Sequence, residues 1–390
     1  MNEITKQFIR ENLNADVPTL ALKKAPVGTD LSMALREIEA RQLLQKKVPE
    51  WSANFDLRFP PHRAIEQCSS EATARYKAAL VEGHSFADLT GGLGIDTYYI
   101  SSYFADSDYV EPQAELCAIA SHNFDVLHAG VKVWNETAEA YLNHCEAKDW
   151  LFVDPSRRDA SGHKTVSIAD CSPNLVELQD RLFKKTENVL VKLSPMLDVS
   201  KALTELHGVR EIHVLAVANE CKELLFVLQR GFLGEARCSC VNLQAGQAAF
   251  QFTAQEERDC PLRLADGLAR YLYEPNAALM KAGCFKLVSS RFGVNKLHKH
   301  SHLYTSDVLV ADFPGRVFEV EGWTRYNKKA KQVLLPDADK ANLAVRNFPL
   351  SVEEVRKSLK IKEGGETYLF ATTMLDDEKV MIRTKKSALS

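Results

Sequence analysis

The chain has 390 residues, 45% of them apolar, and a formal net charge of −3. This length and composition predict about two to four folded units and exclude a protein that binds polyanions over its whole surface. Nine irregularly spaced cysteines without a Cys-x-x-Cys pair, and the lack of any apolar run of about 18 residues, exclude a disulfide framework and a membrane span. We therefore expect a cytoplasmic protein with reduced thiols.

The first segment, 1–61, is predicted to be an N-terminal helical region. Apolar residues recur at helical spacing from Ile4 to Ile9, and Asp30 is a plausible N-cap for a second helix. Phe59-Pro60-Pro61 interrupts this pattern, because proline cannot continue a helix. A further helix is expected to begin after Ser70.

The next segment, 62–230, alternates short apolar strands with helical stretches. The strands are SFADLT, DYVEP, VKVW, WLFVDP, NVLVKLSP, EIHVLAVA and LLFVLQ. Such alternation indicates a parallel sheet with crossover helices. The last two strands are joined by a short polar link, which predicts one antiparallel edge. The expected fold class is therefore α/β, with a Rossmann-like sheet.

Beyond residue 230 the alternation stops. Residues 231–273 are predicted to be a connecting segment, 274–316 a short basic domain, and 317–390 a domain with strand and helix signals. We expect the last two to be small α+β domains.

The most specific motif is the glycine loop Asp88-Leu89-Thr90-Gly91-Gly92-Leu93-Gly94 at the end of the first strand. Glycines allow a ligand to approach the backbone, and the motif opens a helix. The form Asp-x-x-x-Gly-x-Gly resembles the cofactor loop of class I methyltransferases, whose strand-end acid can pair with the methionine ammonium. The candidate cofactor-binding residues here are Asp88, Thr90, Gly91, Gly92, Gly94 and Asp96. A dinucleotide loop would have a third glycine, and Thr97 stands in its place.

Polar residues end the next two strands as well. Glu111 follows the second strand, where an acid can accept hydrogen bonds from both ribose hydroxyls. Asn135 and Glu136 end the third strand, where class I enzymes contact adenine. These three residues complete the predicted cofactor site.

The fourth strand runs directly into Asp154-Pro155-Ser156-Arg157-Arg158. Ligands of open α/β sheets bind outside the carboxyl ends of the strands, which directs Asp154 towards the cofactor. We predict Asp154 and Pro155 as catalytic residues, with Asp154 accepting a hydrogen bond from an exocyclic amine and Pro155 shaping the strand exit. Arg157 and Arg158 are predicted to bind RNA phosphates.

The segment 281–302 carries cations and aromatic residues without an acid. This pattern suits a phosphate backbone with stacked bases, and a solvated basic face is the alternative. The predicted RNA-binding residues are Lys286, Arg291, Lys296 and Lys299. Histidines alternate at 298, 300 and 302, but no cysteine or acid lies near them in sequence, so we predict no metal site.

Together, Asp88-x-Thr90-x-Gly92-x-Gly94, Glu111 and Asp154-Pro155 resemble class I methyltransferases over about residues 62–230. DLTGGLGID is similar to the loop of guanine-N2 RNA methyltransferases. The whole chain resembles bacterial methyltransferases that carry a ferredoxin-like insert, here 274–316, and a C-terminal THUMP-like domain, here 317–390. Two departures are Thr90 in place of a first glycine, and Asp-Pro-Ser-Arg in place of (Asp/Asn)-Pro-Pro-aromatic.

The resemblance implies a methyltransferase dependent on S-adenosylmethionine that modifies an exocyclic amine of ribosomal or transfer RNA. Guanine N2 is the favoured atom and adenine N6 the second. Two alternatives remain at this point: an NAD-dependent Rossmann oxidoreductase, and an RNA-binding protein whose transferase domain is inactive.

Overall fold

A computed structural model describes residues 1–60, 62–156, 167–336 and 338–387. The chain divides into two compact units, one formed by 1–212 with 223–234 and the other by 213–222 with 235–390. None of the described helices is long and apolar enough to cross a membrane. All nine cysteines carry free thiols.

The chain begins with six helices. Asp30 caps α3 by accepting a hydrogen bond from the Met33 N–H, and Ser70 caps α6 in the same way through Thr73, as the sequence predicts. The helices are α1 (Glu3–Glu11), α2 (Val17–Ala21), α3 (Leu31–Lys47), α4 (Pro49–Ala53), α5 (His62–Gln67) and α6 (Glu71–Ala78).

The main sheet of the first unit confirms the predicted α/β alternation. Seven strands of this sheet are β1 (Ser85–Asp88), β2 (Asp106–Val110), β3 (Lys132–Trp134), β4 (Trp150–Val153), β5 (Asn188–Leu193), β6 (Val209–Val217) and β7 (Glu220–Gln229). The intervening helices are α7 (Ile95–Ser101), α8 (Ala114–Val126), α9 (Ala138–His144), α10 (Leu175–Phe183) and α11 (Val199–Glu205).

These strands lie in the order β3-β2-β1-β4-β5-β7-β6. Strands β1 to β5 run parallel, whereas β7 is antiparallel to β5, as the short link between the last two strands predicts. A dinucleotide-binding Rossmann sheet has the order 3-2-1-4-5-6 without this reversal. The carboxyl ends of β1, β2, β4 and β5 therefore meet at one edge.

The second unit contains strands and helices that the sequence predicts only in part. The segment predicted as a connection forms β8 (Arg237–Leu243), β9 (Phe250–Thr253) and α12 (Ala254–Asp259). A sheet of order β11-β12-β10-β13-β16-β15-β14 follows. Its strands are β10 (Tyr271–Pro275), β11 (Asn295–Lys296), β12 (Tyr304–Ser306), β13 (Gly315–Arg325), β14 (Asn342–Arg346), β15 (Thr367–Thr373) and β16 (Lys379–Lys386).

Four helices accompany these strands: α13 (Ala277–Ala282), α14 (Phe285–Phe292), α15 (Ala330–Leu334) and α16 (Val352–Leu359). Buried side chains of α15, α16, β15 and β16 share one apolar core, which includes Leu334, Val355, Leu369 and Met381. This confirms the predicted small α+β architecture at the C-terminal end.

Candidate active site at the carboxyl edge of the first sheet

Three carboxylates lie where neighbouring parallel strands end. Asp88 is the last residue of β1, Glu111 follows β2 directly, and Asp154 follows β4 directly. Because β1 pairs with both β2 and β4, the three side chains occur at one edge of the sheet. The structure thus brings together the three acids that the sequence singled out.

The three glycines of the loop after β1 lie in different surroundings, so the absence of a side chain matters for different reasons at each. A Cβ on Gly91 would lie 2.1 Å from Tyr109 Cε2, and one on Gly94 would lie 2.9 Å from Phe124 Cζ. Gly92 has a φ of +53°, and a Cβ there would meet nothing closer than the Thr90 carbonyl oxygen at 3.8 Å. Packing therefore requires Gly91 and Gly94, whereas Gly92 is the position where a ligand can approach the backbone.

Asp88 is almost fully buried, at 1% exposure, and its carboxylate binds residues of the loop and of the helix that follows it. Its carboxylate accepts hydrogen bonds from the Thr90 N–H at 2.9 Å and from the Thr97 hydroxyl at 2.6 Å. Burial raises the pKa of Asp88 to about 7, although these two hydrogen bonds oppose the rise. A nearby cation would favour the ionised carboxylate.

Glu111 is also buried and is tied to the same loop. Its carboxylate accepts hydrogen bonds from the Gly92 N–H at 3.1 Å and from the Gln113 N–H at 3.0 Å. Each carboxylate oxygen can accept a second hydrogen bond, so ribose hydroxyls can still bind there. Asn135 donates to the Glu111 carbonyl at 3.0 Å and so fixes this strand exit, whereas the Glu136 carboxylate lies 2.8 Å from His144 Nε2.

Asp154 is joined to the glycine loop through Thr90. The Asp154 N–H donates to the Thr90 hydroxyl oxygen at 2.7 Å, and the Thr90 N–H donates to Asp88. This gives Thr90 a structural role at the position where the family commonly has glycine. The Asp154 side chain keeps 33% exposure, so it can reach a bound molecule.

The chain that directly follows Asp154 is fixed by burial and by backbone hydrogen bonds. Pro155 is buried, and Ser156 exchanges two backbone hydrogen bonds with Ser172, at 2.8 and 3.0 Å. These contacts fix the direction in which Asp154 leaves the strand. The predicted phosphate-binding residues Arg157 and Arg158 lie outside the described residues.

The sequence analysis missed a buried charge network beneath this edge. Lys192 of β5 forms an ion pair with Asp154 and lies 3.8 Å from Asp96, so Asp96 belongs to this network. Lys77 of α6 lies 3.1 Å from Asp96 and 2.5 Å from Glu223 of β7. A signal for it was available, since Lys192 is the one charged residue within the apolar strand NVLVKL.

These residues fit a cofactor that carries both a nucleoside and a positive charge. Glu111 suits ribose hydroxyls, and Gly92 leaves space beside the backbone. In the charge network and the loop, four carboxylates (Asp88, Asp96, Asp154 and Glu223) face two ammonium groups (Lys77 and Lys192). An excess of acid favours a cationic ligand over a pyrophosphate.

The basic segment of the second unit is less available than the sequence suggested. Lys286 donates to the Arg258 carbonyl at 2.6 Å, and Arg291 lies over Phe250 and near Glu256 at 3.4 Å. Acids of α12 therefore face a segment that contains none itself. Lys299 is exposed.

Lys296 does not fit the predicted phosphate contact. It is 2% exposed, and its ammonium donates to the Lys299 carbonyl at 2.8 Å. Burial lowers the pKa of Lys296 to about 8, so a phosphate cannot reach a free surface charge here. Residue type alone did not reveal that this lysine lies inward.

The three histidines lie in the turn between β11 and β12 rather than on a strand. His302 stacks on Phe285 with ring centroids 3.5 Å apart, and burial lowers its pKa to about 4. His298 lies 3.2 Å from Asp377. Within the described ranges, no three His, Cys, Asp or Glu side chains are grouped to hold a metal ion.

Comparisons with known proteins match both units. Family models match residues 271–314 as a ferredoxin-like domain and 315–386 as a THUMP domain-like region. The crystal structure of a "putative methyltransferase" from Porphyromonas gingivalis W83 superposes on this chain with a TM-score of 0.85. The two sequences are 34% identical, and the alignment covers 99% of this chain and 98% of the other. A search of curated proteins finds no match.

Two further solved structures are similar only in part. One is a tRNA (uracil-54, C5)-methyltransferase from Pyrococcus abyssi with S-adenosyl-L-homocysteine, at 15% identity, TM-score 0.29, and 45% and 41% coverage of the two chains. The other is an rRNA methylase from Streptococcus thermophilus, at 13% identity, TM-score 0.30, and 40% and 93% coverage. These similarities are too low to assign an activity.

Proposed function

We propose an activity for this chain, which belongs to the family of methyltransferases that carry ferredoxin-like and THUMP-like domains: it transfers a methyl group from S-adenosylmethionine to an exocyclic amine of an RNA base. The observation that carries the proposal is the position of Asp154. Asp154 directly follows β4, its backbone N–H donates to the Thr90 hydroxyl of the glycine loop, and its carboxylate is partly exposed. A target amine and the cofactor can therefore occupy neighbouring positions.

When bound, S-adenosylmethionine supplies an electrophilic methyl group on a sulfonium. The chain's own residues align the nucleophile and exclude water. An exocyclic amine is a weak nucleophile because its lone pair is delocalised into the base. By accepting one N–H, Asp154 draws the amine into line and frees that lone pair. Transfer would form a carbon–nitrogen bond to the amine and break the carbon–sulfur bond of the cofactor, and Asp154 would take the amine proton and pass it to water.

The proposed substrate is ribosomal or transfer RNA, with guanine N2 favoured and adenine N6 second. Support for RNA comes from the THUMP-like match and from the cations of the second unit. Support for an amino group comes from the Asp154-Pro155 strand exit and from the DLTGGLGID loop. We propose Glu111 for the ribose, Gly92 for close approach, and Asp88 for attraction of the methionine ammonium.

Ligand-induced stabilisation tests the cofactor. A ligand that binds only the folded protein raises its melting temperature. S-adenosylhomocysteine is expected to raise the melting temperature of the full chain, and NAD at the same concentration is expected to leave it unchanged. Stabilisation by NAD alone would favour an oxidoreductase and overturn the proposal.

The affinity for the cofactor is expected to depend on pH through Asp88. The pKa of its carboxyl is about 7 in the free protein, and the positive amino group of the ligand favours the ionised form. Binding should therefore weaken as the pH falls below this pKa, approaching about tenfold per pH unit. Calorimetry with S-adenosylhomocysteine, from about 1.5 pH units below this pKa to about 1.5 units above it, measures the dependence. Asp88→Asn should flatten it, and an unchanged slope in that variant would remove Asp88 from cofactor binding.

Binding to RNA is expected to depend on salt through the cations of the basic segment 281–302 that are not buried. Replacing Lys286, Arg291 and Lys299 together by glutamine should reduce the slope of log affinity against log salt by about 0.7 for each lost contact. A control variant removes cations of the first unit, Lys23, Lys24 and Lys46. Filter binding of total RNA at several salt concentrations distinguishes the two, and equal slopes would place the RNA contacts elsewhere.

A further inference from the structure

We infer that Lys192 is a positioning residue for methyl transfer, which holds one oxygen of Asp154 and keeps the carboxylate ionised while its other oxygen receives the target amine. This inference rests on the proposed function and adds a residue to its site. Lys192 lies on β5 and Asp154 follows β4, and these neighbouring parallel strands are paired in register from Trp150 opposite Asn188 to Val153 opposite Val191.

The surroundings of Lys192 leave its ammonium few other interactions. Its side chain is 10% exposed, so its ammonium cannot serve as an ordinary surface charge. It forms an ion pair with Asp154 Oδ2 and also lies 3.8 Å from Asp96. Burying an ammonium group costs desolvation free energy, which acidic partners offset. A lysine whose ammonium stays in solvent has no such cost and needs no such partners. Lys192 therefore joins the charge network to Asp154, whose side chain remains one-third exposed.

Asp154 would gain a proton readily without this partner. Burial raises the pKa of its carboxyl, and the charge and hydrogen bond of Lys192 oppose that rise. Among the described residues, the other charged groups around Asp154 and Lys192 are Asp88 from β1, Asp96 from α7 and Glu223 from β7. Lys77 from α6 contacts Asp96 and Glu223. Three of these four groups are acids, so Lys192 is the described group next to Asp154 that favours the ionised carboxylate.

A protonated Asp154 could not accept both the N–H of an amine and the proton released on methylation. The low-pH limb of the methyl-transfer rate therefore reports the ionisation of Asp154. Because Lys192 lowers that pKa, removing its charge moves the limb to higher pH. Restoring a cation by Lys192→Arg returns the limb towards its original position.

The test is the pH dependence of single-turnover methyl transfer, measured with RNA from a strain that lacks this protein. Labelled S-adenosylmethionine is present at a saturating concentration at every pH, so that the titration of Asp88 in cofactor binding does not contribute to the limb. Lys192→Met is expected to lose about tenfold or more at neutral pH, with its low-pH limb displaced upward by at least about one unit. Affinity for S-adenosylhomocysteine should change little. Asp154→Asn, whose side chain accepts a hydrogen bond but does not titrate, should show a low rate without that limb.

Lys77→Met is the matched control, since it removes a buried cation of the same network that contacts Asp96 and Glu223 instead of Asp154. Its limb should move less than that of Lys192→Met, because Lys77 contacts Asp96 and Glu223 and not Asp154 itself. If Lys192→Met and Lys77→Met lose activity equally without a shift of the limb, Lys192 is only structural and the inference is overturned. Should Lys192→Met not fold, Lys192→Gln is measured in its place, with the same shift expected. An unmodified chain that transfers no methyl group to RNA contradicts the proposed function itself.

Discussion

Asp154→Ala is expected to lose methyl transfer by about 100-fold or more, the scale of effect when a positioning group is removed from a reacting centre. The Asp154 side chain is the part of the strand exit that can contact a target amine. Its backbone N–H, which donates to Thr90, is unchanged in the variant, so the loop should keep its conformation. Single-turnover transfer of labelled methyl to RNA measures the effect.

The control for this variant is cofactor affinity. S-adenosylhomocysteine should bind Asp154→Ala nearly as well as the unmodified chain, because Gly92 and Glu111 remain in place. A near-normal transfer rate in Asp154→Ala would remove this residue from the mechanism. Equal losses of affinity and of rate would assign Asp154 to cofactor binding instead.

Gly92→Val is expected to weaken binding of S-adenosylhomocysteine by at least about 100-fold, which corresponds to roughly 2.7 kcal/mol. A branched side chain would fill the space beside the loop, and the φ of +53° is unfavourable for valine. The hydrogen bond from the residue 92 N–H to Glu111 remains possible, so the neighbouring strands should stay intact. Calorimetry gives the affinity.

Gly130→Val is the matched control for backbone strain. Gly130 has a similar φ of +66°, is exposed, and would place a Cβ with no atom within 4 Å. Both variants carry a valine at positive φ, but only Gly92 belongs to the candidate site. If both lose affinity to the same degree, strain rather than blocked approach accounts for the loss, and the glycine loop has been misinterpreted.

The sheet could be predicted because its signals are local. The alternation of apolar strands with helices and the short polar link before β7 indicated parallel pairing and one reversed edge. Strand-end acids were recognisable because a charged residue that directly follows an apolar run must lie at the edge of the sheet. This reasoning found Asp88, Glu111 and Asp154 before any contact was known.

Other features depend on contacts that are distant in sequence. KQVLLP, residues 331–336, has the apolar character of a short strand, but its first four residues lie in helix α15 (Ala330–Leu334). Such short apolar runs are ambiguous between strand and helix. Strand β14 is half-buried along its whole length and shows no alternation that would predict it. The sequence does not show whether a lysine side chain points outward or inward, so the buried Lys296 was predicted to bind RNA and the buried Lys192 was missed.

The most direct test of the proposed activity is nucleoside analysis of RNA after reaction. Total RNA from a strain that lacks this protein is incubated with the full chain and labelled S-adenosylmethionine, digested, and examined by mass spectrometry. The expected result is one labelled nucleoside methylated on an exocyclic amine, at guanine N2 in preference to adenine N6. A label on a pyrimidine C5 or a ribose 2′-oxygen, or no label in RNA, would contradict it.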